Sequence, residues 1–193
     1  MKKIQTGEGH TMELQHLDVK LPLDPPSPAE LEALIPIFHQ WIRDGDGDEL
    51  LIDVADYRHV HGGPEVLLIG YEGNYSLDNT DGRPGLRYTR KTVLPGTNAE
   101  RLGQAIGALA KARRRLEAEP ALAGKLRFHR HELEIRVNDR HLAPNSQETF
   151  DALAPEIAAF FRSRGVANGL RLSREGGERD VFRVRVRADA PLD

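Results

Sequence analysis

Ser27-Pro28-Ala29-Glu30-Leu31-Glu32-Ala33-Leu34-Ile35-Pro36-Ile37-Phe38-His39-Gln40-Trp41-Ile42-Arg43 and, 119 positions later, Ser146-Gln147-Glu148-Thr149-Phe150-Asp151-Ala152-Leu153-Ala154-Pro155-Glu156-Ile157-Ala158-Ala159-Phe160-Phe161-Arg162 are the two stretches that decide the fold. Each opens on a serine, a residue whose side chain can accept from the free amides at a helix start. After Ser27 the apolar residues recur at Leu31, Leu34, Ile35, Phe38, Trp41 and Ile42, and after Ser146 at Phe150, Leu153, Ile157, Phe160 and Phe161. That spacing draws one buried face on each of two helices. Pro36 and Pro155 stand at the same point of the two runs, where a missing backbone donor predicts a kink or a restart.

The likeness extends beyond the helices. Residues 12–51 align with 131–170 without a gap: Glu13 with Glu132, Leu14 with Leu133, Leu23 with Leu142, Pro25 with Pro144, Ser27 with Ser146, Ala33 with Ala152, Leu34 with Leu153, Pro36 with Pro155, Arg43 with Arg162, and Leu51 with Leu170. These ten identities over forty positions compare with roughly two or three expected by chance. The plainer alternative is a pair of similar strand-helix units with no common origin.

Around the helices the Val, Ile and Leu-rich runs read as strands: 12–21, 49–54 and 65–71 in the first half, then 125–138, 170–174 and 181–187 in the second. The 125–138 run is expected to bend into a hairpin at His129-Arg130-His131. A third helix over 98–118 joins the halves, with Leu102, Ala105, Ile106, Leu109, Ala112 and Leu116 on its core face and Pro120 and Gly124 ending it. Short turns between successive strands favour antiparallel pairing. The expected fold is therefore α+β, with internally duplicated β-α-β-β units forming a mostly antiparallel sheet and helices packed on one face. The halves span about 12–71 and 125–187, linked by an elaborated loop over 72–97 and by the 98–118 helix.

A chain of 193 residues suits one domain with one sizeable core, so 1–193 is read as a single domain. A formal charge of -3 gives no field to attract a polyanion, so neither nucleic acid nor a membrane is the expected partner. Cysteine is absent, which excludes disulfides, thiolate metal sites and a cysteine nucleophile. The basic start Met1–Gly9 is followed by no apolar run long enough for a leader or a span, and a cytoplasmic location is expected.

Functional expectations come from what the first half has and the second lacks. Where the second half turns through Ser173–Glu178, the first reads Asp53-Val54-Ala55-Asp56-Tyr57-Arg58-His59-Val60-His61-Gly62-Gly63-Pro64. Asp56, Tyr57 and His59 are the candidates for general acid-base chemistry, with Arg58 as a binding residue. The 71–91 segment adds Arg83, Arg87 and Tyr88, where guanidinium forks and a phenol could hold a carboxylate or phosphate. If this segment is a strand, Arg87 and Tyr88 point to opposite faces and Tyr88 and Arg90 share one. The plainer reading is a solvated strand paired with nearby acids.

His59/His61 and His129/His131 have a spacing that can chelate metal, but His-x-His alone is weak, and no metal is assigned. Asp44-Gly45-Asp46-Gly47-Asp48 opens like a calcium loop, yet Glu49 stands where glycine is needed and Ala55 where glutamate is, so a helix-ending turn explains it better. Lys111, Arg113, Arg114 and Arg115 sit at the end of the third helix, where positive charge suits the macrodipole. No nucleotide, serine-hydrolase or zinc signature occurs, and no cofactor is expected. The expected function is a non-catalytic binding or assembly module whose first-half loops contact a protein partner or an anionic small molecule. The alternative is a small enzyme acting on a phosphorylated or carboxylated metabolite, with Asp56, Tyr57 and His59 moving protons and Arg83 and Arg87 holding the anion. Exposed strand edges would allow a homodimer.

Overall fold

A computed structural model of the chain describes residues 12–45, 47–60 and 62–193. The basic start Met1–Gly9, Asp46 of the aspartate-glycine run and His61 of the first histidine pair lie outside them. In chain order the elements are β1 (Leu17–Pro22), α1 (Pro28–Asp44), β2 (Leu51–Asp56), β3 (Pro64–Gly70), β4 (Gly73–Asp78), β5 (Gly85–Arg90), α2 (Asn98–Ala118), β6 (Glu132–Val137), α3 (Gln147–Ser163), β7 (Arg171–Arg174) and β8 (Phe182–Arg187). The eight strands form one sheet in the order β2-β3-β4-β5-β1-β6-β8-β7, and every pairing is antiparallel.

The helices begin where the capping chemistry predicts. Ser27 accepts from the Glu30 amide while the Glu30 carboxylate reaches back to the Ser27 amide, and Thr97 with Glu100 repeats this at α2. Ser146 accepts from the Thr149 amide at 3.1 Å. Pro36 and Pro155 lie inside α1 and α3, which both continue past them. The aspartate-glycine run ends α1 at Gly45, whose φ of 59° is left-handed backbone that glycine adopts without steric cost.

Strand alternation gives the sheet two unlike faces. Leu17, Val19 and Leu21 of β1, Leu133, Ile135 and Val137 of β6, and Phe182, Val184 and Val186 of β8 are buried in a single apolar core with Leu34, Phe38 and Trp41 of α1, Leu102, Ile106 and Leu109 of α2, and Leu153, Ile157 and Phe161 of α3. Each large apolar side chain buried this way contributes about 1.5–3 kcal/mol. The alternate residues, Asp18, Lys20, Glu134, Arg136, Arg183 and Arg185, line the opposite face and neutralise one another. Lys20 pairs with Asp78 at 2.6 Å, Arg136 with Glu134 at 2.5 Å, and Arg183 with Asp81 at 2.6 Å.

Two segments differ from the sequence reading. The 72–97 stretch, expected as a loop, carries β4 and β5 in the middle of the sheet, so the first half has four strands after its helix and the second has two. The 125–138 run makes one strand rather than a hairpin, because a turn at its start, with the Glu132 amide donating to the His129 carbonyl at 3.2 Å, delays entry into the sheet. Among the described residues no helix is long and apolar enough to cross a membrane.

Candidate functional site

Asp56 ends β2, and Tyr57, Arg58 and His59 follow in its turn toward β3. Arg58 grips Asp56 with both arms of its fork, at 2.9 and 2.7 Å, and its backbone amide adds a third bond at 3.1 Å. The Arg58 side chain, and then its amide, pull the Asp56 carboxyl down to about 2. A carboxylate so stabilised is ionised near neutrality but accepts protons poorly, which suits it to holding Arg58 rather than to general base work. Tyr57 stacks on His59 with ring centroids 6.4 Å apart. Asp56, Arg58 and His59 share a wide concavity of about 500 Å³ with Leu31 and Glu65.

The other predicted residues go elsewhere. Arg83 pairs with Glu132 and approaches Glu134 at 4.0 Å, while Arg87 lies 2.9 Å from Asp78 and 3.6 Å from Asp18 on the charged face. Tyr88 points to the helix side and is fully buried, its hydroxyl accepting from Gln104 Nε2 at 3.0 Å. Its ring therefore offers no stacking face to a ligand. The Arg87/Tyr88 split and the shared face of Tyr88 and Arg90 follow the strand alternation expected from sequence. In the second histidine pair, His129 Nε2 meets Asp24 at 2.9 Å and His131 Nδ1–H donates to the Ala188 carbonyl at 3.3 Å. Among the described residues no three ligating side chains gather into a metal cluster.

A different place has the character of a binding pocket. Between α2, the end of α1 and strands β2–β5 lies a cavity of about 460 Å³, walled by Trp41, Leu51, Leu68, Tyr75, Leu94 and Ala108. Gly103 and Gly107 form its α2 side, and a Cβ built on Gly107 would meet nothing within 4 Å. A helix-interior glycine costs about 1 kcal/mol relative to alanine. Gly107 leaves an exposed, open rim here, whereas a Cβ on Gly103 would meet Phe160 and Arg164 of the α3 end at 3.5–3.7 Å.

The polar groups of the pocket are few and fixed. Glu49 accepts from the Tyr75 hydroxyl at 3.0 Å and from the Gly73 amide, which occupies both its oxygens. Burial first, then the Glu49 charge, push the Tyr75 phenol far above its ordinary value, so it stays a donor. Arg90 donates to Glu72 at 2.7 Å and to the Thr92 carbonyl at 3.2 Å. Burial would lower Arg90, but Tyr88 and Glu72 outweigh it and keep the guanidinium charged. At the rim Lys111 pairs with Asp48 at 3.0 Å, and the Arg115 guanidinium lies 4.4 Å above the Trp41 ring. Sequence reading took Trp41 and Ala112 as core, which they are, met Glu49 as the residue that spoils a calcium loop, and passed over Glu72 and Gln104. The available signal was Gly103-Gln104-Ala105-Ile106-Gly107, two glycines one turn apart inside a strongly helical run. Scanned against protein-family models and searched against curated proteins, the sequence gives no match.

Proposed function

We propose that this chain is a non-catalytic binding module that takes a small molecule with an apolar body into the pocket beneath α2. The observation that carries this reading is the cavity of about 460 Å³ with aromatic and aliphatic walls and a few convergent polar groups. Small-molecule sites usually have about 300–1,000 Å³ and that lining. The pocket draws its sheet wall from β2, β3, β4 and β5, so the first half would supply the specialised part of a duplicated scaffold. Duplication is supported by the bounds of α3, which both lie 119 residues after those of α1. The antiparallel pairing of β1 with β6 goes with it, although β6 starts 115 and not 119 residues after β1. The acid-base alternative has less behind it, since Asp56 is committed to Arg58 and Arg83 is committed to Glu132.

Trp41 is the sole tryptophan of the chain and lines the pocket, so its emission reports entry of a ligand. Titration with decanol, an apolar chain with a neutral head, should shift or quench Trp41 saturably. Ala108→Phe, which sets a ring into the space from the partly buried α2 wall, should abolish that response, with a melting curve to show that the chain is folded. A full response in folded Ala108→Phe would mean that Trp41 senses the alcohol from somewhere else.

A further inference from the structure

We propose that the natural ligand of this pocket is an amphiphile bearing one carboxylate, which displaces Glu72 from Arg90 and takes its place. This rests on the pocket reading above and names the chemistry of the ligand head. The argument begins with an asymmetry within one ion pair. The Arg90 side chain is 8% exposed and belongs to the pocket wall, whereas its partner Glu72 is 47% exposed. A buried guanidinium must keep an anion, because an uncompensated buried charge is strongly unfavourable. A half-exposed carboxylate loses little when it swings into water. The pair is thus built so that the cation stays and the anion can be exchanged.

The other cations of the lining, Lys111 and Arg115, are more exposed than Arg90 and pair with Asp48 and Asp44 at 3.0 Å each, so neither depends on a ligand for its counter-charge. Both Glu49 oxygens are taken up by Tyr75 and the Gly73 amide, which makes Glu49 part of the wall. Asp48 is almost fully solvated and holds Lys111 at the rim. The Arg90 Nε is directed to the Thr92 carbonyl, which fixes the guanidinium plane so that Nη1 presents the bond Glu72 now accepts. A ligand carboxylate offers the same planar acceptor in the same bond, whereas a phosphate brings a second negative charge that this single guanidinium does not match. The rest of the molecule then lies on Leu51, Leu68, Tyr75 and Trp41, which accept a hydrocarbon and no particular polar pattern.

The test titrates the full chain near pH 8 with decanoate, decanol and decylamine, reading Trp41 emission. Decanoate should bind about tenfold tighter than decanol, the scale of one charge-assisted hydrogen bond. Glu72→Gln weakens the internal competitor and should tighten decanoate several-fold while leaving decanol unchanged. Arg90→Gln should erase the preference for decanoate, with a melting curve to show that the chain is folded. If that variant does not fold, the Glu72→Gln comparison decides alone. Equal binding of decanoate and decanol in both parent and Glu72→Gln, or tightest binding of decylamine, overturns the carboxylate assignment and leaves the pocket standing. No response to any of the three overturns the pocket reading itself.

Discussion

At the scale of single residues, two glycines, one in a helix and one in a strand, should answer the same substitution with opposite signs. Gly107→Ala adds a methyl group to open space and removes a helix-interior glycine, so a gain of about 0.5–1 kcal/mol is expected from urea denaturation. Gly73→Ala sets a Cβ 2.6–2.7 Å from the Tyr88 ring, which is fully buried and cannot retreat, and should cost about 1–3 kcal/mol. Matching signs for the two would mean that the α2 side of the pocket is packed rather than open. Neither environment is written near the glycine in the chain. The same distance in sequence hides Arg113: its position near the end of α2 reads as charge complementing the helix dipole, yet it is buried against Asp193, eighty residues on, and against Glu117. A local pattern identifies a charge and its helix face, but its partner comes from the fold.

Among the elements, the strand edge at β2 shows how the sheet avoids growing. The register of β2 on β3, with Tyr57 N–H donating to the Glu65 carbonyl, directs the Val54 amide outward, and Asp53 Oδ1 accepts from that amide at 2.8 Å. A strand's own carboxylate on its free donor blocks pairing with another chain, and Ile52 and Leu50, both more than half exposed, sit beside it. Asp53→Val frees the amide and lengthens the apolar run, and should produce concentration-dependent self-association by sedimentation velocity where the parent shows less. The elements themselves were largely legible. Ser27, Ser146 and the apolar spacing behind them located α1 and α3, and Val66, Leu68 and Val184 announced their strands. The β4–β5 hairpin was not, although Tyr75, Leu77, Leu86 and Tyr88 alternate as a strand requires. Its other residues, Asn74, Ser76, Asp78 and Arg87, look like loop chemistry until Lys20 and Asp18 are brought against Asp78 and Arg87 from β1. The candidate site was hidden for the same reason, because Trp41, Glu49, Arg90 and Gly107 meet only through the packing of α2 on the sheet.

For the molecule as a whole, the charged face makes stability depend on acid. Burial would raise Asp78, but Arg87 and Lys20 outweigh it and hold its carboxyl below the ordinary 3.8, and Arg187, Arg83 and Arg185 likewise overcome burial to hold Glu132 below 4.5. Carboxyls whose folded values are depressed contribute stability that is present above their unfolded values and lost as pH falls through the folded ones. Asp18, raised chiefly by burial, works with the opposite sign. Denaturant midpoints should therefore fall as pH drops below about 4, and the fall should be shallower in Asp78→Asn. An acid limb of unchanged steepness in that variant would locate the loss elsewhere. The strand order carries one more consequence. All pairings but one join strands from the same side of the α2 connection, and the exception, β1 with β6, lies in the interior of the sheet. During synthesis the inner flank of β1 must wait for residues 132–137 to leave the ribosome, an interval in which a bare strand invites adhesion to neighbouring nascent chains.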